Sequence, residues 1–212
     1  MKRILSVAFV FCCLGFSAVA QDTWFCSEVG TTLCYIKKDA KGSAEGVSYN
    51  YIIRDKQVAD GRTTIIFDVV VPGQNSTSGC SVWTADGQFH NDASAAIGQF
   101  GDGITATGNS PVLPESPLLR ANLADCSIKI DALMLTSEYS KISFTANEDI
   151  TVPAGKFRCW CLEYDITDTV MGLKAKNHVK QWMAKGIGDV KVVTTDKSGR
   201  VVSEKELVKI SK

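Results

Sequence analysis

The segment Lys156-Phe157-Arg158-Cys159-Trp160-Cys161-Leu162-Glu163-Tyr164-Asp165-Ile166-Thr167 repeats with a period of two, the spacing of a β-strand. Trp160, Leu162, Tyr164 and Ile166 fall on one face, and Phe157, Cys159 and Cys161 on the other. Both faces are apolar near its start, so the segment is expected to be a central strand with a neighbour on each side. Upstream, Pro153-Ala154-Gly155 separates it from Glu148–Val152, with Lys141–Thr145 and Ser127–Leu135 before that. Downstream, Asn177–Met183, Val190–Thr195 and Val201–Ile210 read as further strands, and Asp196-Lys197-Ser198-Gly199 as the last hairpin turn.

The first half has the same grammar. Thr31–Ile36 is β-rich, and Val47–Ile53 puts Tyr49, Tyr51 and Ile53 on one face. Asp60-Gly61 marks a turn before Thr63–Val71, which stops at Pro72. Asp86-Gly87, between Ser81–Thr84 and Gln88–His90, is the strongest short hairpin signal in the chain. About ten strands are expected, with at most short helices at Ser94–Phe100 or Ser116–Leu123. The predicted fold class is mainly β. A meander this long must close, curl or cover its edges, and the reading is a strongly curled antiparallel sheet, half-barrel-like, with a concave face.

Residues 92–117 break the pattern. They are rich in Gly, Ala, Ser and Asn and end in Pro111, Pro114 and Pro117 at a spacing of three, which keeps the rings on one side of a polyproline helix. A recognition motif is one reading. A stiff connector within a single domain spanning 21–212 is the plainer one.

At the other end of the argument, residues 1–20 read as a signal peptide. Lys2 and Arg3 lead an apolar run from Ile4 to Phe16, and Ala18-Val19-Ala20 is a small-residue cleavage site. The run is shorter than the roughly 20 residues of a spanning helix, and no later stretch qualifies, so no transmembrane segment is expected in the mature chain. Cys12 and Cys13 sit behind bulky Phe11 in mid-run, an unsuitable place for lipidation. Localisation is therefore expected in the periplasm or at the cell-envelope surface. Loss of Lys2 and Arg3 leaves 21 basic residues against 23 acidic, a net charge of −2, which argues against a nucleic-acid partner.

The mature chain keeps Cys26, Cys34, Cys80, Cys126, Cys159 and Cys161, an even number that in an exported protein predicts at least one disulfide. Buried free thiols are the alternative. Catalytic patterns are thin. His90 and His178 lie in no nucleophile signature, zinc spacings are absent, and Gly98–Gly103 opens no helix, so no enzyme, metal or cofactor is expected. Aromatic residues are the more suggestive set. Most are expected in the core, but Trp83, Phe100, Trp160 and Trp182 are candidates to line the concave face, Phe100 as a lip residue in a glycine-rich loop.

Ile150-Thr151-Val152-Pro153-Ala154-Gly155-Lys156-Phe157-Arg158-Cys159 resembles the "vTVPAGtF-x-C" signature of an uncharacterised family of exported Bacteroidetes proteins related to the domain-of-unknown-function 3108 group. Gly30–Tyr35 with Asp39-Ala40-Lys41-Gly42 resembles its opening hairpin, Trp182–Lys191 its "W-x-a-k-G-x-G-x-V" segment, and Glu206-Leu207-Val208 its closing strand. Cys161 departs from the pattern, which has a polar residue there. The resemblance implies a curled sheet similar to the periplasmic lipoprotein carriers LolA and LolB, and it carries no catalytic residues. The resulting expectation is a binding module for an apolar small molecule, a lipid or a segment of an envelope protein. The alternative is a non-catalytic structural or assembly-interaction protein using the Pro111–Pro117 segment or a free sheet edge.

Overall fold

The computed structural model describes residues 23–39, 47–71, 77–91 and 106–212. Within them lie β1 (Thr32–Asp39), β2 (Val47–Ala59), β3 (Arg62–Val70), β4 (Thr77–Ala85), β5 (Gln88–Asn91), β6 (Ala106–Gly108), β7 (Leu113–Pro114), β8 (Cys126–Ile130), β9 (Leu135–Val152), β10 (Gly155–Val170), β11 (Leu173–Ala184), β12 (Gly188–Asp196) and β13 (Val201–Ser211). They make one antiparallel sheet in the order β6-β8-β9-β10-β11-β12-β13-β1-β2-β3-β4-β5-β7. The mainly β reading holds, and β10 has a neighbour on each side, as its two apolar faces require.

Turn chemistry sets most of the register. Asp60-Gly61 and Asp86-Gly87 adopt positive φ at both positions, 50° and 73°, then 52° and 70°, which suits two-residue hairpins twisted like their strands. Pro153-Ala154 closes the β9–β10 hairpin, where Gly155 faces Val152. The two expected strands Lys141–Thr145 and Glu148–Val152 are one strand of 18 residues. Its interruptions are register shifts against β10, at Cys161/Leu162 and at Glu163/Asp165, and Lys141 takes a φ of 56° beside the second.

Two departures from a plain meander matter. The last strand pairs with the first, Thr32 opposite Ser211. The sheet also ends in strands from the middle of the chain, β6 at one side and β7 at the other, joined by residues 109–112. Ser116–Leu123 forms no helix. Arg120 N–H donates to Phe144 O at 2.7 Å and Leu123 N–H to Ile142 O at 2.7 Å, so this stretch is laid along β9 instead. The other helix candidate, Ser94–Phe100, lies outside the described residues.

One core joins both halves of the sheet: Leu33, Tyr35, Ile53, Ile65, Phe67 and Val82 belong to the same cluster as Phe144, Leu162, Met183, Val190 and Leu207. Each such side chain contributes about 1.5–3 kcal/mol by leaving water. The stretch before β1 is part of it. Gly186 N–H donates to Thr23 O at 2.7 Å and Gly30 N–H to Ile53 O at 2.9 Å. Trp24, fully buried, stacks on Phe144 at 5.4 Å, donates from Nε1 to Pro114 O at 2.9 Å, and lies under the Lys185 ammonium at 3.9 Å.

The expected disulfide is absent: none of the six cysteines is bonded to another. No cysteine faces another across the ladder. Cys34 stands opposite Asn50 and Lys209, Cys80 opposite Phe67, Cys126 opposite Tyr139, and Cys161 opposite Ala146 and Trp182. Cys159 and Cys161 share one side of one strand with near-parallel Cα–Cβ directions, which no S–S bond can close without moving backbone.

Candidate functional site

Strand alternation on β1 and β2 sends Tyr35, Tyr49 and Tyr51 to the core side, in the register Tyr35 opposite Tyr49 and Leu33 opposite Tyr51. The rings gather: Tyr35–Tyr49 5.5 Å, Tyr35–Tyr51 5.0 Å, Tyr51–Phe67 5.1 Å and Phe25–Phe67 4.8 Å between centroids. Beside them is a cavity of about 200 Å³. Phe25, Phe67, Val82 and Phe89 line it from one part of the chain, and Tyr139, Leu162, Tyr164 and Met183 from another. Gly188, at φ 101°, is part of the lining; a Cβ there would come within 3.0 Å of the Phe25 ring, so the position needs glycine for both space and backbone.

Asn91 and Ser110 add polar groups to the lining, and Gln181 and Asp189 belong to a buried polar cluster. Lys205 pairs with Asp189, Gln181 Nε2 donates to Asp189 Oδ1 at 2.6 Å, Tyr164 Oη donates to Gln181 Oε1 at 3.3 Å, and Tyr35 Oη donates to the backbone oxygen of Asp189 at 3.0 Å. Lys205 also lies 4.9 Å from the Tyr35 ring centroid. Burial works against its charge, yet the Asp189 carboxylate, and after it the Tyr51, Tyr49 and Tyr35 phenols, hold the ammonium well above the ordinary lysine range. Burial pushes the phenols up as well, Tyr139 to about 12. A second cavity of about 280 Å³ shares Tyr164, Gln181 and Asp189 with the first and adds Tyr49, Thr194, Ser203 and Lys205. The Asp189–Gln181 pair is thus common to both cavities.

The aromatic candidates from the sequence lie elsewhere. Trp83, opposite His90 and Thr64, is on the face away from the cavity, stacked on His90 at 5.1 Å with the Arg62 guanidinium 4.3 Å over its ring. Trp182 shares a face with Cys161 and Lys191 and donates from Nε1 to Glu148 at 2.8 Å. Trp160 meets Phe144 edge-on at 5.9 Å and packs against the core. None of the three lines the cavity, and Phe100 lies outside the described residues. The proline segment does contribute: Pro111 and Leu113 line the cavity, while Pro114 O and Glu115 O accept from Trp24 and from Lys185 Nζ at 2.6 Å.

On the opposite face of β9, β10 and β11 is a charged ladder. Asp165 accepts from Lys141 at 3.0 Å and Lys176 at 3.2 Å, and Glu163 from Lys180 at 3.0 Å and Thr145 at 2.8 Å; the His178 ring lies between the two carboxylates, Nδ1 3.1 Å from Asp165 and Nε2 3.3 Å from Glu163. Among the described residues no group of His, Cys, Asp and Glu is arranged to hold a metal ion.

The sequence profile of the DUF3108-like family matches residues 28–207, most of the chain. The chain belongs to the DUF3108-like family. No curated protein matches it. Two solved structures share its fold. One, from Bacteroides fragilis, is designated an exported protein with a YmcC-like fold; it is 14% identical with a TM-score of 0.74, over 90% of this chain and 100% of that one. The other, from Parabacteroides distasonis, is designated a lipoprotein; it is 18% identical with a TM-score of 0.72, over 90% and 99%. The DUF3108-like match takes in every cavity residue except Phe25.

The polar cluster escaped the sequence reading. A signal did exist: Lys205 lies two residues before Leu207, hence on the same strand face as a fully buried leucine. Asp189 directly follows Gly188, at the start of a strand where a carboxylate passes for a turn residue.

Proposed function

We propose that the protein is an exported binding module of the periplasm or cell-envelope surface. In this reading its sheet curls strongly, and the cavity beside Phe25 receives the apolar part of a small molecule, a lipid or an envelope-protein segment. The observation that carries it is a cavity whose walls combine aromatic and aliphatic side chains with a few polar ones, Asn91, Ser110, Gln181 and Asp189, a composition that suits a ligand with an apolar part and a polar end. A volume of about 200 Å³ suits a short chain or a ring rather than a whole drug-sized molecule. The occupant's polar end then lies toward Gln181, Asp189 and Lys205.

Two observations support the curl. Val82 on β4 and Leu162 on β10 line one cavity although seven strands apart, about 34 Å in a flat sheet. Residues 108–113 link β6 to β7, the two ends of the sheet, and five residue steps span at most about 18 Å, against about 58 Å for a flat sheet. Binding rather than catalysis is supported by the thiols. Burial pushes Cys159 up to about 12 and Cys161 to about 11, far from the thiolate a nucleophile needs.

Native mass spectrometry of protein purified from its own envelope tests this. We expect a bound amphipathic species that is lost in Val82→Phe, which fills the cavity, with the melting temperature kept within a few degrees. Spectra of the unaltered protein with no bound molecule would sink the proposal.

A further inference from the structure

Eleven large apolar residues are exposed among those described, and five of them, Leu133, Met134, Val170, Met171 and Leu173, sit on two neighbouring turns. The first is the short 3-10 turn Asp131–Leu133 and Met134 between β8 and β9; the second is the β10–β11 turn. Met171 N–H donates to Met134 O at 3.2 Å, so the turns form one tip rather than two independent loops. Met134 and Met171 are exposed by 65% and 72%, and Leu173 by 79%.

The backbone gives this tip a second peculiarity. Met134 and Met171 both adopt left-handed conformations, φ 45° and 50°, where Gly, Asn or Asp sits with less strain. Neither side chain is recovered by packing, because both are in solvent. Arg120 and Lys141 take the same conformation elsewhere in the chain, so what sets the tip apart is that its two left-handed residues are long apolar side chains standing in solvent.

Charge indicates the kind of contact. Asp131 in the first turn is matched by Lys129 at 2.7 Å. Lys174, next to Leu173, is exposed and has no ion-pair partner among the described residues; Lys176, two residues on, is exposed too but shares the Asp165 carboxylate with Lys141. An apolar tip with the unpaired Lys174 ammonium beside it suits a bilayer whose headgroups are anionic, with apolar side chains entering the interface and the ammonium at headgroup level.

We propose that the paired turns at Met134 and Met171 form a contact site for an anionic membrane surface. It is independent of the cavity. The test is co-sedimentation of residues 21–212, which contain every described strand, with vesicles of phosphatidylethanolamine and phosphatidylglycerol. The unaltered chain is expected to bind, and to bind less at high salt or to phosphatidylcholine. M134D/M171D should weaken binding at least tenfold, and K174E severalfold. Aspartate tolerates the left-handed conformation, so the fold should survive; Val58→Asp, at an exposed apolar residue near the end of β2, should bind like the unaltered chain. Absence of vesicle binding by the unaltered chain, or equal binding by M134D/M171D, overturns the proposal. So does a dimer in sedimentation velocity that the same pair of changes dissolves, since a second copy of the chain would then be what covers the tip.

Discussion

Lys205 and Asp189 are the residues at which the inner face of the sheet departs from a plain hydrophobic surface. Their pairing offsets the cost of two charges held largely away from water, and Gln181 occupies a second carboxylate lone pair. Removing one partner leaves the other charged, partly buried and unmatched. Lys205→Met should therefore lose about 3 kcal/mol in urea unfolding, and Lys205→Met/Asp189→Asn should recover most of it, because the amide still bonds Gln181 without a charge. Equal losses in the single and double variants would mean the two residues do not act as a pair. That Tyr49 and Tyr51 share a strand face with Ile53 was legible from their alternation. Lys205 was not, since a lysine in a strand reads as outward until its cross-strand partner is known.

Among the elements, β9, β10 and β11 form the longest hairpins, and their outer face is tied by carboxylates and lysines. Partial burial opposes the Asp165 charge, but hydrogen bonds from His178, Lys141 and Lys176 prevail and hold its carboxyl down from 3.8 to about 2. A carboxyl held lower in the folded than in the unfolded chain adds stability above pH 3.8 that disappears as pH falls toward 2. Acid unfolding should accordingly steepen across that window, and Asp165→Asn should flatten it, as thermal melts taken between pH 5 and 2 will report. The hairpins with Asp-Gly turns were readable because two residues dictate the twist. The unity of β9 was not. Ala146-Asn147 resembles a break, and only the pairing of Ala146 with Cys161 and Asn147 with Trp160 shows the strand running through it.

At the scale of the molecule, local rules deliver the hairpins but not their assembly. Nothing in Thr32–Asp39 or Val201–Ser211 announces that the two will pair, because their partnership spans nearly the whole chain. Yet β13 is the seventh of thirteen strands, with six on either side. A chain ending at Arg200 should thus lose cooperative melting in circular dichroism altogether, not merely soften at one edge. A truncated chain that still melts in one sharp transition would refute this. The same placement sets a clock. A ribosome or a translocon delivers a chain in order, so until β13 emerges the two halves of the sheet have no strand to join them. The protein stays slack while it is being threaded and locks only when that strand arrives.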